Sequence, residues 1–183
     1  IKENIPLSKL TTFKIGGPAA AVAFPGCEEE LVAALNCAYR CGAKMTVIGN
    51  GSNLIASDKG YNGIIIATEK LNKIKTAGNR IWCESGVSMT GLALQARDAA
   101  LTGAEFLYGI PGTVGGGLYM NAGAFKGQIS DVVEKSRYYD IEKDEIKEID
   151  NALHGFSYRH SIYSANKNLI ALGAWFSFAP GDA

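Results

Sequence analysis

The sequence has little proline, few cysteines, hardly any histidine, no surplus of either charge and no long apolar stretch. Of its 183 residues 5 are Pro and 2 are His, and the 18 Lys and Arg are matched by 18 Asp and Glu. A balanced chain has no electrostatic pull toward nucleic acid or an anionic membrane surface. No apolar run approaches the roughly 18 residues that span a bilayer, and the opening Ile1-Lys2-Glu3-Asn4 lacks the apolar core of a secretory signal. The four cysteines, Cys27, Cys37, Cys41 and Cys83, contain no Cys-x-x-Cys pair and stand far from His154 and His160, so no metal site is expected. Unpaired cysteines fit a reducing, cytoplasmic setting. What is present is a globular composition, 47% apolar and 20% charged, in a chain long enough to bury about 70% of its unfolded surface. The expected partner is a small molecule. The missing initiator Met reads as a trimmed or excised piece.

Hydrophobic periodicity divides the chain in two. Residues 20–24 form a short strand, three glutamates at 28–30 suit the positive end of a helix, and Leu31, Val32, Leu35, Ala38 and Tyr39 repeat at helical spacing up to Cys41-Gly42. Cys37 and Cys41, four apart, share a helix face and read as small core residues. Apolar strands at 45–48 and 64–67 complete a β-α-β-loop-β unit, expected as a small parallel or mixed sheet covered on one side. From 73 to 84 the pattern is that of a hairpin turning at Ala77-Gly78-Asn79. Ser88 can cap a helix with Leu92, Leu94, Ala96, Ala99 and Ala100 inward, closed by Gly103. Strands follow at 132–140, 145–149 and 169–178. The fold class is therefore α+β, two α/β subdomains covering 1–70 and 71–183, with a soft boundary at 69–73.

Two glycine-rich loops carry the chemistry. Gly49, Asn50, Gly51, Ser52, Asn53 and Leu54 follow directly on a strand; glycines let amides approach an anion, and Ser52 and Asn53 add donors. Leu54 occupies the third glycine position of a dinucleotide fingerprint and no helix pattern follows, which disfavours a Rossmann domain. Taken alone, this loop reads equally well as a tight turn. The second loop is Gly109-Ile110-Pro111-Gly112-Thr113-Val114-Gly115-Gly116-Gly117, continuing into Asn121-Ala122-Gly123-Ala124. It lacks the Lys-Ser/Thr ending of a Walker loop, so nucleotide triphosphate hydrolysis is not indicated. Two anion-compatible loops point to one extended diphosphate ligand lying between the two subdomains. The alternative is a loop whose glycines serve only tight helix-sheet packing.

The motifs Asn4-Ile5-Pro6-Leu7, Thr11-Thr12-Phe13-Lys14-Ile15-Gly16-Gly17, residues 48–54, residues 109–116, Asn121-Ala122-Gly123-Ala124 and Tyr158-Arg159-His160-Ser161 occur together and in this order. In these the chain resembles the family of UDP-N-acetylenolpyruvoylglucosamine reductases, also called UDP-N-acetylmuramate dehydrogenases or the MurB family. The resemblance implies the vanillyl-alcohol-oxidase-type (PCMH) FAD-binding fold, with FAD bound without a covalent link and NADPH as co-substrate. It implies that Gly49, Asn50, Gly51, Ser52, Asn53 and Leu54 hold the FAD diphosphate. Ile110, Pro111, Gly112, Thr113, Gly115 and Gly116 would contact diphosphate and flavin, with Asn121, Ala122 and Gly123 lining the same channel. Thr12, Lys14 and Gly16 would sit near the isoalloxazine, and neither histidine needs a role.

The implied reaction reduces UDP-N-acetylenolpyruvoylglucosamine to UDP-N-acetylmuramate in peptidoglycan precursor synthesis, a step in cell-wall biogenesis that bears on cell shape and division. Hydride addition to the enolpyruvyl double bond builds negative charge toward the neighbouring carboxylate, so a fixed cation is useful there. The resemblance assigns that role to Arg159, whose guanidinium can grip a carboxylate with two bonds. Tyr158 and Ser161 would orient it or contact substrate. The family continues into a C-terminal substrate domain with a proton-donating serine and an assisting glutamate, and this chain reaches Pro180-Gly181-Asp182-Ala183 before either. As it stands it is expected to hold flavin and turn over poorly. Two other readings are a different FAD-dependent oxidoreductase of the same fold, and a non-catalytic FAD-binding module. Oligomeric state is not indicated.

Overall fold

A computed structural model describes residues 1–181; Asp182 and Ala183, part of the terminal stretch noted above, lie outside the described residues. The chain forms two compact units, Ile1–Leu71 and Asn72–Ala183.

The first unit contains β1 (Lys2–Pro6), β2 (Pro18–Ala23), α1 (Glu28–Arg40), β3 (Met45–Ile48) and β4 (Tyr61–Ala67). Its sheet order is β1-β2-β4-β3, antiparallel between β1 and β2 and parallel elsewhere, a mixed sheet. The period of two along a strand puts Val22, Ile48, Ile65 and Ala67 in one cluster with Leu7, while Ala23 and Ile66 are buried on the opposite face. Helix α1 packs on β4 and buries Leu31, Leu35 and Ala38. Cys37 and Cys41 are exposed, which corrects their reading as core residues. Cys37 lies two positions beyond Leu35, about 200° round the helix from it and off the buried stripe.

The second unit contains β5 (Ile74–Ala77), β6 (Arg80–Glu84), α2 (Met89–Asp98), β7 (Leu101–Thr102), α3 (Val114–Met120), β8 (Gly123–Ala124), β9 (Gly127–Gln128), α4 (Ile129–Val132), β10 (Val133–Asp140), β11 (Glu145–Asp150), α5 (Ile162–Ala165), β12 (Leu169–Ser177) and β13 (Ala179–Pro180). Its main sheet is antiparallel in the order β11-β10-β12-β6-β5. One core gathers Ile81, Cys83, Ala174 and Phe176 from the strands with Met89, Leu92, Ala93 and Ala96 of α2, Val114 and Leu118 of α3, and Tyr163 of α5. Burial pushes the Cys83 thiol up to about 12, so it stays protonated and behaves as a small apolar side chain. The Ser88 cap is in place, its hydroxyl accepting from the Gly91 amide at 2.9 Å. The helix ends earlier than expected: Ala99 caps it and Ala100 turns with φ 52°, five residues after Gln95 and ahead of Gly103. Met89 and Ala93, rather than Leu94 and Ala99, complete its buried stripe.

Candidate functional site

Backbone proximity decides the glycines of the first unit. Gly51 has φ +59°, and a Cβ there would stand 2.1 Å from the Leu10 carbonyl oxygen. The Thr12 amide donates to the Gly51 carbonyl at 3.2 Å, so residues 10–12 lie directly on the loop that follows β3. Gly16 and Gly17 admit Ala56 and Asp58 in the same way. The glycine at 51 thus serves packing. Among the loop amides that donate to no acceptor among the described residues are those of Gly49 and Asn50, which leaves them open to an anion. Thr12 and Lys14 are exposed beside it.

In the second unit the glycine-rich segment is part helix, since α3 begins at Val114 after the Thr113 cap. Its first amides are engaged internally. Val114 donates to Val87 O, Gly115 to Ser85 O, and Gly117 to Thr113 O, each at 2.8 Å, with Gly116 on the Thr113 hydroxyl at 3.5 Å. Gly115 packs on Ser85 and Gly117 on Met89, where an added Cβ would meet atoms at 3.0 and 2.7 Å. Gly116 is different: it is exposed, and a Cβ on it would find nothing nearer than 3.8 Å. No intramolecular contact requires glycine there. Upstream, Gly109 and Gly112 adopt φ +88° and +138°, and their amides have no acceptor among the described residues. Asn121, Ala122 and Gly123 are engaged within the unit: Ala122 donates to Gly117 O and accepts from Ile129, and Gly123 pairs with Gln128 across the β8–β9 hairpin.

The Tyr-Arg-His-Ser motif is a loop closed on itself. Ile162 N–H donates to His154 O at 2.8 Å, and within it Ser157 and His160 exchange two backbone bonds of 3.2 Å, leaving Tyr158 and Arg159 at the tip. Arg159 sits in the left-handed region, φ 55°, which is disfavoured by about 1 kcal/mol or more for a side chain of this kind. Tyr158 is 89% exposed and its ring lies 5.8 Å from the Arg159 guanidinium. Beneath this exposed tip the loop is anchored by buried groups. His154 Nδ1 faces the carbonyls of Asp150 and Asn151, which can only accept, so Nδ1 carries the hydrogen. Nε2 then accepts from the Ser136 hydroxyl at 2.6 Å, and Ser136 accepts from Tyr163. Burial holds the His154 imidazole below its usual range and raises the Tyr163 phenol. The reading of the sequence gives His154 no role, since nothing local to Ala152-Leu153-His154-Gly155-Phe156 points to the distant Ser136 as its partner.

Ser161 is fully buried. Its hydroxyl donates to Tyr119 O at 2.9 Å and accepts the Tyr163 amide at 3.2 Å, capping α5. Of its two expected roles, orienting the Arg159 loop is the one this geometry supports. The described residues hold no cluster of three or more His, Cys, Asp or Glu that could ligate a metal, and no helix long and apolar enough to cross a membrane.

Comparison with known proteins places these features. A family model described as FAD binding domain matches residues 19–150. The chain belongs to that family. It is 44% identical over 177 residues to the UDP-N-acetylenolpyruvoylglucosamine reductase of Caldicellulosiruptor bescii, covering 97% of this chain and 56% of the relative. It is 41% identical over 182 residues to that of Lactococcus lactis subsp. cremoris, covering 100% and 60%. The crystal structure of UDP-N-acetylenolpyruvylglucosamine reductase (MurB) from Thermus caldophilus superposes with a TM-score of 0.81 at 29% identity, over 98% of this chain and 62% of that one. Alkyldihydroxyacetonephosphate synthase, at a TM-score of 0.66 and 17% identity, shares the fold alone. The α+β class with a vanillyl-alcohol-oxidase-type FAD-binding fold therefore stands, and FAD is the cofactor it implies. The chain spans about three-fifths of the length of the curated relatives it matches.

Proposed function

We propose that the chain is the FAD-binding region of an NADPH-dependent, cytoplasmic reductase that converts UDP-N-acetylenolpyruvoylglucosamine to UDP-N-acetylmuramate, supplying precursor for peptidoglycan. The observation that carries the reading is Arg159: an exposed guanidinium held in a disfavoured backbone conformation on a loop locked from below by buried hydrogen bonds. Strain maintained by its surroundings is a mark of functional positions. In the first unit the residues proposed to face FAD are 49–54, above all the amides of Gly49 and Asn50. In the second they are residues 110–116, above all Gly112 and the open face of Gly116. FAD fits these residues, since amides without acceptors and a glycine with open space suit a diphosphate approached by backbone. When bound, FAD would carry hydride from NADPH to the enolpyruvyl carbon. Arg159 would grip the substrate carboxylate, and Tyr158, lying over the guanidinium, would limit its swing and line the path of the substrate. The 183-residue stretch alone is proposed to hold flavin without sustained turnover, because its relatives are longer by about two-fifths of their own length.

The test uses the complete gene product. The purified protein should show flavin absorption bands, NADPH should bleach them without air, and the enolpyruvyl substrate should restore them. Arg159→Ala should keep the bands and the bleaching while reoxidation by substrate slows about 10²- to 10³-fold, the usual consequence of removing a group that stabilises developing negative charge. Equal reoxidation rates in variant and parent would remove Arg159 from the chemistry.

A further inference from the structure

Asn121 closes α3 in the left-handed region, φ 43°, and is only 4% exposed. Every polar atom of its side chain is engaged. Nδ2 donates to Ser157 O at 3.2 Å and to Gln128 Oε1 at 3.1 Å, while Oδ1 accepts the Ser130 amide at 3.0 Å. Its neighbours fix the amide orientation, because the Ser130 N–H can only donate and the Ser157 carbonyl can only accept. Ser157 is the first residue of the turn whose tip is Tyr158 and Arg159. The residue that follows the turn, Ser161, is tied to Tyr119 O, so both ends of the turn are pinned to the last turn of α3.

We propose that Asn121 is the positioning residue for Arg159, setting the aim of the guanidinium through the Ser157 carbonyl; this rests on the reading of Arg159 as the carboxylate-binding cation. A turn closed only by two 3.2 Å bonds, with a non-glycine residue at φ 55°, relaxes unless something outside it holds it. Helix α3 then has two tasks. Near its start Gly116 offers an open backbone face, and at its end Asn121 fixes the cation, so a single rigid element of seven residues relates the two.

Asn121→Asp isolates this role. It keeps the size, the tolerance of a left-handed backbone and the acceptor for Ser130, but presents an oxygen where Ser157 O and Gln128 Oε1 need a donor. In the complete gene product, rates are taken per bound flavin, and the rate of NADPH bleaching on that basis should match the parent. Reoxidation by the enolpyruvyl substrate should slow about a hundredfold, the order that a misplacement of about 1 Å costs. Amide exchange at Ser157 and His160, the two bonded amides of the turn, should accelerate. In an Arg159→Ala background the second substitution should add nothing further, since it acts only through the guanidinium. Penalties that multiply in the double variant would overturn the proposal, as would unchanged exchange at the turn or a loss of flavin that accounts for the lost rate. If Asn121→Asp does not fold, Asn121→Gly keeps the backbone and removes the three bonds without repulsion, and the same outcomes decide. A parent enzyme that the substrate does not reoxidise would sink the functional reading, while the exchange measurement would still decide whether Asn121 holds the turn.

Discussion

Two glycines with opposite demands show how a single position can serve fold or function. At Gly51 both the positive φ and the Leu10 carbonyl 2.1 Å from a would-be Cβ exclude any side chain, so Gly51→Ala should destabilise the protein by about 2 kcal/mol or more, read as a lowered urea midpoint. At Gly116 the backbone is helical and the space beyond is open. Gly116→Ala should therefore stabilise the flavin-free protein by about 0.5–1 kcal/mol, as Ala replaces Gly within a helix, and yet weaken FAD binding in a flavin titration. A variant that gains stability and keeps full flavin affinity would mean that no ligand approaches Gly116. Sequence alone could not separate the two, because composition marks both as permissive without saying what comes close. Ser161 illustrates a related point: a hydroxyl that caps a short helix and one that meets a ligand look alike in a motif, and the bond to the Tyr119 carbonyl at 2.9 Å is visible only in the fold.

At the scale of elements, what could be read was what hydrophobic burial dictates. Strand β3 appears at the bounds expected, and the hairpin of β5 and β6 turns where Gly78 permits it, because apolar runs and turn residues are local signals. Strand β1, Lys-Glu-Asn-Ile-Pro, was not expected, since its mostly exposed residues give no periodicity and it exists by pairing with β2. Helix α3 is not legible in the sequence, because its three glycines hide a helix that the Thr113 cap and burial of Val114 and Leu118 maintain. The loop above His154 carries a pH dependence of the same tertiary origin. Desolvation is the leading cause that holds the imidazole below 6.5, with the Asn151 and Asp150 carbonyls opposing more weakly. A histidine whose folded value is depressed binds its proton more readily when unfolded, so its stabilising contribution is complete above 6.5 and is lost as pH falls through the folded value. Between about pH 7.5 and pH 5 the urea midpoint of the parent should fall further than that of His154→Gln, which cannot titrate. Parallel slopes for the two proteins would show that His154 takes up its proton equally in the folded and unfolded states across that range.

For the whole molecule, each unit carries its own set of candidate ligand-facing amides. Each has amides without an acceptor among its described residues, Gly49 and Asn50 in the first and Gly109 and Gly112 in the second. The matched FAD-binding family region runs from residue 19 to residue 150 and so includes both sets. A ligand that binds only the native state stabilises whatever it touches, by about 2.7 kcal/mol when its concentration is a hundred times its dissociation constant. Saturating FAD should therefore slow amide exchange at Gly49 and Asn50 of the first unit and at Gly112 of the second. The exposed amides of β11, which neither set includes, serve as the internal control. Protection absent from one of the two sets would remove that set from the residues that meet FAD. In that event the fold would be retained while the assignment of residues 49–54 or of 110–116 to FAD would be lost.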